Sequence, residues 1–348
     1  MERKLVSIQQ ITNIEPIKWA DRIEKANILG FQVVVPKGMY SKNEPVVFFQ
    51  ADSFLPIEDR YSFLEKSSYV NDAFLGPGYR IKVSKLKGVV TEGLVMSLED
   101  FPELNDMSVI GADITDVLGV RKWERPESMT DLGTIKGAKP SFVRTTDEIR
   151  LQEDTALLDE LRGKPYYIST KIDGTSVSIA CVNREIFATT RKMNIVDDGK
   201  SRIWKYIHDK KVDENVLEYC IENSVDLIVQ GELAGPKIQN NRLRLNKDEW
   251  FVFNVFSYDS KLRELKLLGL DESMTVAAEL GVRFVPLEDI GQNFNYSFEE
   301  LKEKAGGLYS SGQEKEGIVV RPMTPFYSEK LGKEFSFKVL NDDSWGKE

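Results

Sequence analysis

The sequence predicts an α+β protein in which a small N-terminal β-barrel domain precedes a larger domain built on antiparallel sheets. Three observations support this prediction. The chain has 348 residues, whereas one compact domain usually holds roughly 100 to 200. Short strand-like segments fill the first hundred residues, and strands mix with helices after residue 140. We therefore expect domains at residues 1–125 and 140–348, joined by a linker at 126–139.

The barrel is predicted from short apolar segments that alternate with turn residues. In chain order they read KLVSIQQI, IEKANILGFQVVVP, EPVVFFQ and YRIKVSKLKGVVTEGLVMSL, with Gly30, Gly38 and Gly76–Gly78 at the corners. The stretch KLKGVVTEGLVMS resembles the closing strands of OB-folds that bind tRNA. This resemblance implies an OB-like N-terminal domain that binds nucleic acid.

The second domain follows residues 99–140, where the strand pattern loosens and mixed charge gives way to Gly and Pro. Helices are predicted in TTDEIRLQEDTALLDELRG, SRIWKYIHDKK, MTVAAELG and FEELKEKAGGLY. Strands are predicted in PYYISTKI, SVSIACVN, REIFATTR, SVDLIVQGELAG, DEWFVFNVFSYD, EGIVVRP and FSFKVL. Such a mixture favours an α+β domain.

The composition excludes several classes of protein. Hydrophobic residues make up 41% of the chain and charged residues 30%, the balance of an ordinary globular protein. No apolar run approaches the roughly 20 residues of a transmembrane helix, and the N-terminus lacks the apolar core of a secretory signal. We expect an intracellular protein, cytoplasmic or nuclear, that is not secreted and has no membrane partner.

Cysteine and histidine are too scarce for several kinds of site. Cys181 and Cys220 are the only cysteines, and their spacing supports neither a disulfide framework nor a zinc site. His208 is the only histidine, which argues against a Ser-His-Asp hydrolase or a histidine-rich metal centre.

The net charge of −9 argues against a protein that coats nucleic acid nonspecifically, because such proteins usually carry a basic surface. A local basic groove remains compatible with that charge. Two stretches offer one, and each can equally be an ordinary solvated face: Arg80, Lys82, Lys85 and Lys87 in the first domain, and Lys237, Arg242, Arg244 and Lys247 in the second.

The segment STKIDGTSVSIA places Lys171 at the end of a predicted strand, followed by Asp173 and Gly174. Lysine normally titrates near pH 10.4, so it attacks a phosphate only if desolvation or nearby positive charge lowers its pKa. Asp173 could orient the lysine or, through water, hold a divalent cation. A surface lysine in an Asp-Gly turn is the alternative. The segment resembles the first motif, K-x-D/H-G, of the covalent nucleotidyltransferase superfamily of polynucleotide ligases and capping enzymes.

Three further segments resemble the motifs of this superfamily in their usual order. Arg191 in ATTRKMN is then implied to touch the ribose or phosphate of the nucleotide, and Glu232 in GELAG to accept the ribose hydroxyl. In the strand DEWFVFNVFSYD, Phe253 is the best candidate to stack on adenine, with Phe251 as the competitor. Phe251, Phe253 and Val255 are expected to share one face of this strand.

The last motifs lie near the C-terminus. In EKEGIVVRP the resemblance implies that Glu316 holds a divalent metal near the α-phosphate, and in EFSFKVLN that Lys338 polarises this phosphate. Many relatives carry a second lysine in K-x-K, which this chain lacks. Lys330 and Lys333 are the available substitutes, and the choice stays open.

The segment TTDEIRLQ resembles the T-D-E-x-R-x-Q that precedes the nucleophile in several RNA ligases, which gives Arg150 and Gln152 a supporting role. Helix capping and surface charge are the alternative for both. Ser176 occupies the position of an arginine in capping enzymes. Because the barrel precedes the motifs and only ten residues follow Lys338, the arrangement is similar to that of ATP-dependent RNA ligases of the Naegleria and Deinococcus type.

This resemblance implies ATP and Mg²⁺ or Mn²⁺ as cofactors, and RNA ends as the partner, with a nicked duplex as the favoured form. The AMP would pass from ATP to Lys171, then to a 5′-phosphate, before a 3′-hydroxyl displaces it. Three alternatives remain: a guanylyltransferase, a DNA-only ligase, and a noncatalytic OB-type RNA-binding protein with a decayed catalytic domain. No protein partner is inferred.

Overall fold

The computed structural model describes residues 3–107, 109–124, 133–145 and 147–341. These residues form two compact units. The barrel unit contains the described residues up to 124 together with Leu151–Thr155, and the two-sheet unit contains the others. Among the described residues, no helix is both long enough and apolar enough to cross a membrane.

The barrel unit is built almost entirely from short strands. They are β1 (Val6–Pro16), β2 (Ile23–Ile28), β3 (Phe31–Pro36), β4 (Pro45–Gln50), β5 (Ser53–Leu55), β6 (Tyr69–Asp72), β7 (Gly76–Arg80), β8 (Ser84–Leu86), β9 (Val89–Thr91), β10 (Gly93–Ser97) and β11 (Arg121–Lys122). A one-turn helix, α1 (Glu65–Ser68), precedes β6.

Five of these strands form the antiparallel sheet β10-β4-β1-β2-β3. Its two outer strands are joined where Glu92, just before β10, donates its N–H to the Gln32 carbonyl at 3.0 Å. The Glu92 carboxylate also accepts the Gln32 N–H at 3.2 Å. Phe31, Val33 and Val35 alternate inward on β3, as a half-buried strand requires. The predicted barrel is therefore confirmed.

The two-sheet unit alternates strands with helices. Its strands are β12 (Ile135–Ala138), β13 (Ile149–Arg150), β14 (Tyr166–Thr170), β15 (Thr175–Val182), β16 (Glu185–Thr190), β17 (Met193–Ile195), β18 (Asp226–Ala234), β19 (Glu249–Asp259), β20 (Glu264–Leu267), β21 (Arg283–Phe284), β22 (Leu287–Gly291), β23 (Gly317–Pro322), β24 (Tyr327–Ser328), β25 (Lys333–Glu334) and β26 (Phe337–Leu340). Its helices are α2 (Leu157–Leu161), α3 (Arg202–Asp209), α4 (Val212–Asn223), α5 (Leu270–Glu279) and α6 (Phe298–Ala305).

The larger sheet has the order β12-β17-β16-β15-β18-β19-β20, with β21 beside β19, and the smaller has the order β13-β26-β23-β14-β22. Pairing is antiparallel except for β13 with β26 and β19 with β21. Helices α3, α4 and α5 cover the core of the larger sheet around Trp250. The chain crosses from the smaller sheet to the larger between β14 and β15, which are separated by residues 171–174. The predicted α+β class is confirmed, and the crossing carries the K-x-D-G motif.

Two local predictions differ from the structure. The segment TTDEIRLQEDTALLDELRG is predicted as one helix, but only Leu157–Leu161 form an α-helix. Before it, Ile149–Arg150 form a strand and Leu151–Glu153 a 3₁₀ turn. Thr146 lies outside the described residues. Pairing of β13 with β26 overrides the weak local helical preference. Within the predicted linker at 126–139, residues 135–138 form β12 and pair with β17, while residues 126–132 lie outside the described residues.

Candidate active site

Lys171 is held at the crossing between the two sheets. All five residues of β14 before it are buried, and the Lys171 N–H donates to the Gly317 carbonyl at 2.9 Å. Its Nζ lies 2.7 Å from Oε1 of Glu316, and the two side chains are 25% and 23% exposed. The predicted nucleophile and the predicted metal ligand are therefore paired with each other and accessible from solvent.

The charge around Lys171 favours its protonated form. Burial lowers the pKa of Lys171, but Glu316 and Glu232 outweigh it and leave the pKa above its usual value. This is the opposite of the direction that the nucleophile hypothesis requires, because the chain supplies carboxylates here. A cation that offsets these carboxylates would lower the pKa of the lysine again.

Glu232 lies on β18 opposite Ser176 of β15. Burial and the nearby carboxylates raise the pKa of Glu232 to about 8, against the opposing effect of Lys171. Gly174 permits this approach, because a Cβ on it would lie 2.5 Å from the Leu233 carbonyl oxygen and 2.9 Å from Cγ of Glu232. The glycine of the motif thus lets the turn pack against the strand that carries Glu232.

Asp173 makes an ion pair within the chain. Its Oδ2 lies 3.0 Å from Nε of Arg242, and both side chains are mostly buried. The Arg242 carbonyl in turn accepts a hydrogen bond of 2.5 Å from Oγ of Ser311. Asp173 is therefore oriented by an arginine, and its role toward Lys171 or a metal stays a prediction.

Tyr309 is a site residue that the motifs did not reveal. Its buried hydroxyl donates to the Lys171 carbonyl at 2.6 Å and accepts the Glu316 N–H at 3.1 Å. One phenol oxygen therefore fixes the backbone of both residues. The sequence offered no signal for this role, since a tyrosine in a Gly/Ser-rich loop is an ordinary residue.

The strand pair β23–β26 positions the last two motifs. Gly317, which follows Glu316, has a φ of 150°, and a Cβ there would lie 2.2 Å from the Val339 carbonyl oxygen. Lys338 lies opposite Val319 on one side and opposite Arg150 on the other. The structure thus brings Arg150, which is buried, next to Lys338.

Gln152 takes a different place. It belongs to the barrel unit, where its carbonyl accepts the Gly30 N–H at 2.9 Å. Its side-chain amide is buried, and neither the nitrogen nor the oxygen has a hydrogen-bond partner within the described part of the chain. Its supporting role at the nucleotide stays a prediction.

Arg191 directly follows β16 and forms an ion pair with Asp147. The Asp147 carbonyl also accepts a hydrogen bond from Nζ of Lys333. Lys330 instead lies 3.5 Å from the Ala156 carbonyl. Lys330 and Lys333 are the two possible substitutes for the second motif lysine. Of these, Lys333 contacts Asp147, the residue that pairs with Arg191.

A β-bulge decides which aromatic residue of β19 is available. Val252 pairs with Gly231 and Asn254 with Gln230, which leaves Phe253 without a partner across the strand. Phe251 is buried, whereas Phe253 is partly exposed. The bulge also turns Val255 into the core of the larger sheet, away from Phe251 and Phe253. The expectation that all three share a face is therefore wrong for Val255.

A buried arginine lies behind Phe253. The guanidinium carbon of Arg321 is 5.8 Å from the centre of the Phe253 ring, and its Nη2 is 2.6 Å from Oε1 of Glu148. Arg321 is part of EGIVVRP but was not singled out from the sequence, because nothing in the motif distinguishes it from an exposed strand residue.

Comparisons with known proteins agree with this arrangement. A family model described as RNA ligase matches residues 164–340, just over half of the chain, and another described as an OB-fold domain matches residues 5–98. No curated protein sequence matches the chain.

Solved structures of one enzyme match over nearly the full length. An RNA ligase of Naegleria gruberi with pyrophosphate has 28% identity and a TM-score of 0.83, with 98% of each chain covered. A lysine-to-alanine mutant of that enzyme with ATP and Mn has 27% identity, a TM-score of 0.84 and 98% of each chain covered. A glutamate-to-alanine mutant with AMP and Mn gives the same three values. This chain therefore belongs to the RNA ligase family and is a ligase.

Proposed function

We propose that this protein is an ATP-dependent RNA ligase that joins 3′-hydroxyl and 5′-phosphate ends through a lysyl-AMP intermediate on Lys171. The observation that carries the proposal is the 2.7 Å pair between Nζ of Lys171 and Glu316 at the crossing between the sheets. A lysine fixed at a strand end, accessible and surrounded by carboxylates, suits nucleophilic attack on a phosphate once those carboxylates are neutralised.

A divalent cation fits the donors beside Lys171. Within the described residues, no three His, Cys, Asp or Glu side chains converge to hold a metal by themselves. Mg²⁺ usually binds one or two carboxylates and completes its shell with water and substrate phosphates. Glu316 would supply a carboxylate, and Asp173 would act through water. When bound, the cation would neutralise charge at the α-phosphate and offset the carboxylates that keep Lys171 protonated.

The nucleotide pocket is assigned to residues of the two-sheet unit. Phe253 would stack on adenine, since it is partly exposed at the bulge whereas Phe251 is buried. Glu232 would accept the ribose hydroxyl, and Arg191 would contact ribose or phosphate. Lys338 and the neighbouring Arg150 would bind phosphate oxygens. Gln152 is kept as a supporting residue.

Each of the three proposed steps is a displacement at phosphorus. Lys171 first releases a proton to give the neutral amine, which forms a P–N bond to the α-phosphate of ATP as pyrophosphate leaves and a second proton departs from the nitrogen. An oxygen of the RNA 5′-phosphate then attacks the AMP phosphorus and the P–N bond breaks. The lysine nitrogen takes up a proton and is an amine again. The 3′-hydroxyl finally attacks the adenylated phosphate, its proton is released and AMP leaves. Positioning and charge neutralisation by the fixed side chains supply most of the catalysis in such reactions.

Several features support ATP and RNA ends as the substrates. The Naegleria relative is an RNA ligase with solved structures that contain ATP or AMP with Mn. The barrel unit matches an OB-fold domain, a fold that often binds oligonucleotides. We infer that the barrel unit binds the RNA, and that the favoured substrate is a nick in a duplex.

Labelled ATP tests the proposal directly. The purified protein is incubated with ATP labelled in the α-phosphate and Mg²⁺ or Mn²⁺, then separated on a denaturing gel. The wild type should carry the label, whereas Lys171→Ala and Lys171→Arg should not, because neither side chain supplies a neutral amine. Lys205→Ala, an exposed lysine on α3, is the matched control. Labelling of Lys171→Ala, or preference for GTP, would contradict the proposal.

A further inference from the structure

We propose that the loop between β18 and β19, residues 235–248, binds the phosphate backbone of the RNA next to the reacting ends. This inference rests on the proposed function, and it assigns part of the RNA-binding surface to this loop. It starts from three exposed cations on this loop, at Lys237, Arg244 and Lys247.

The loop leaves the larger sheet at the end where the predicted active site lies. Ala234, the last residue of β18, is opposite Glu249, the first residue of β19. Leu233 is opposite Thr175, the first residue of β15. The loop therefore begins three residues after Glu232 and beside the turn that carries Asp173.

The loop is tied to that turn and closed at its base. In the middle, Arg242 pairs with Asp173 at 3.0 Å, and Ser311 donates to the Arg242 carbonyl. At the base, Nε of Arg202 lies 2.6 Å from Asp248, and its Nη2 donates to the Pro236 carbonyl at 2.6 Å. The exposed cations are thus carried by a backbone that is anchored to the site.

The backbone of the loop is unusual for residues other than glycine. Lys237, Gln239, Asn241 and Arg244 have φ values of 65°, 45°, 44° and 51°. The side chain of Asn241 maintains this shape, because it accepts the Leu245 N–H and donates to the Leu245 carbonyl, both at 3.0 Å. The N–H groups of Ile238, Asn241 and Arg244 donate to the carbonyls of Gly235, Ile238 and Asn241, so the loop is a run of turns whose backbone is fixed by its own hydrogen bonds.

The charges of the loop are divided between anchoring and exposure. Arg242 is used by Asp173, and the carboxylate of Asp248 is used by Arg202. Lys237, Arg244 and Lys247 make no ion pair with the residues that the structure describes. Three uncompensated positive charges on a chain of net charge −9 make this a local site for a polyanion rather than part of a general basic surface.

Two neutralised variants test the proposal with the full-length protein. The loop variant combines Lys237→Gln, Arg244→Gln and Lys247→Gln. The control combines Lys261→Gln, Arg263→Gln and Lys266→Gln, which are also exposed and include one left-handed residue, Arg263. The control cations surround the opposite end of β19, whose 11 residues place them about 33 Å away at the usual rise per residue. Both variants lose the same charge.

Binding to a nicked RNA duplex is measured by fluorescence anisotropy at several salt concentrations, and self-adenylylation with ATP is measured in parallel. The loop variant should bind at least about tenfold more weakly at low salt. The slope of log affinity against log salt should become less steep by about 2 to 3, as expected for three lost phosphate contacts. The control should match the wild type. Self-adenylylation should stay within about twofold in both.

The other outcomes have distinct meanings. Unchanged affinity and salt slope in the loop variant would overturn the proposal, as would an equal loss in the control. If the folded loop variant lost self-adenylylation but kept its affinity for RNA, the loop would bind the triphosphate of ATP instead. Absence of the adduct in the wild type would refute the proposed function, while the comparison of RNA binding between variants would still decide the role of the loop.

Discussion

The barrel unit and the two-sheet unit use their buried polar groups differently. In the barrel unit these groups complete the fold: Glu92 joins the outer strands, and the hydroxyl of Tyr40 donates to the Val95 carbonyl at 3.2 Å. Burial is the largest cause that raises the pKa of Tyr40 to about 12. In the two-sheet unit, Lys171 and Glu232 shift each other's pKa. Perturbed pKa values of this kind are concentrated at functional sites.

The two basic segments repeat this difference. In the barrel unit, Arg80 lies 3.2 Å from Asp52, and its guanidinium carbon is 3.3 Å from the centre of the Trp123 ring. Arg80 is therefore a structural residue and not part of an exposed basic face. Lys82, Lys85 and Lys87 remain exposed. In the two-sheet unit Arg242 instead holds Asp173, while Arg244 of the same segment is exposed. A basic run in sequence thus contains both anchors and exposed cations, and only packing separates them.

The largest effect is expected from Glu316→Ala, which tests whether the two-sheet unit carries the chemistry of adenylylation. It removes the partner of Lys171 and the proposed metal ligand, so self-adenylylation should fall about a hundredfold, the usual scale for one preorganised charge at a reacting centre. The gel assay with labelled ATP measures this. Glu303→Ala, an exposed position at the end of α6, should behave as wild type. A folded Glu316→Ala protein with normal labelling would remove Glu316 from the site.

A smaller loss is expected for Tyr309→Phe. The change removes one oxygen and leaves the Lys171 carbonyl and the Glu316 N–H unpaired, which costs about 1 to 3 kcal/mol. If the lost hydrogen bonds raise the activation free energy by about 1.4 kcal/mol, the rate of adenylylation at saturating ATP should fall about tenfold. The KM for ATP should change little. Tyr327→Phe, at an exposed tyrosine, is the control. Loss of thermal stability with a normal rate would make Tyr309 merely structural.

The hairpin β8–β9 tests the barrel side of the comparison. The combined variant Lys82→Gln, Lys85→Gln and Lys87→Gln should weaken binding to a nicked RNA duplex by several-fold and flatten the salt dependence, since phosphate contacts scale with the cations lost. Self-adenylylation should be unchanged, because that step requires no nucleic acid. Equal losses in both activities would show that the two units do not divide the work in this way.

Much of this arrangement was predictable because it depends on strand ends. Lys171, Arg191 and Glu316 each stand directly beside a strand that its own apolar pattern predicts, so the motifs could be placed on the fold. The bulge at Phe253 was not predictable. It depends on how β18 and β19 pair over their whole length, and one extra residue reversed the expected direction of Val255.

Contacts between distant segments account for the other misses. Tyr309 and Lys171 are 138 residues apart, and the bond between them depends on where the loop before β23 is placed. The ion pair between Arg242 and Asp173 also joins distant segments. The charges in the sequence did not indicate which cation of the basic segment would pair with Asp173. The raised pKa of Lys171 was not predictable for a related reason. The motif names the nucleophile, but the carboxylates that surround it come from β18 and from the segment before β23.

The smallest effect concerns His208, a perturbed group outside the Lys171 cluster. Its Nδ1 lies 2.9 Å from Oδ2 of Asp213 and its Nε2 3.0 Å from Oδ2 of Asp197. Partial burial lowers the pKa of His208, but hydrogen bonds and charge from the two aspartates prevail and raise it above its usual value. A raised pKa in the folded protein adds stability that is complete below the unfolded pKa, about 6.5, and is lost as the pH rises through the folded value.

Comparison of the wild type with His208→Gln isolates this contribution. The side chain is 46% exposed, so solvent screening limits the gain to a fraction of about 1 kcal/mol. The melting temperature of His208→Gln should fall below that of the wild type by more at pH 6 than at pH 9, because this stabilisation is lost as the pH rises. Self-adenylylation at a fixed pH should not change, since His208 contacts none of the proposed site residues. An equal difference at both pH values would attribute the effect to packing against Trp204, whose ring centre is 5.5 Å away. A fall in adenylylation would show that titration on α3 is coupled to the Lys171 cluster after all.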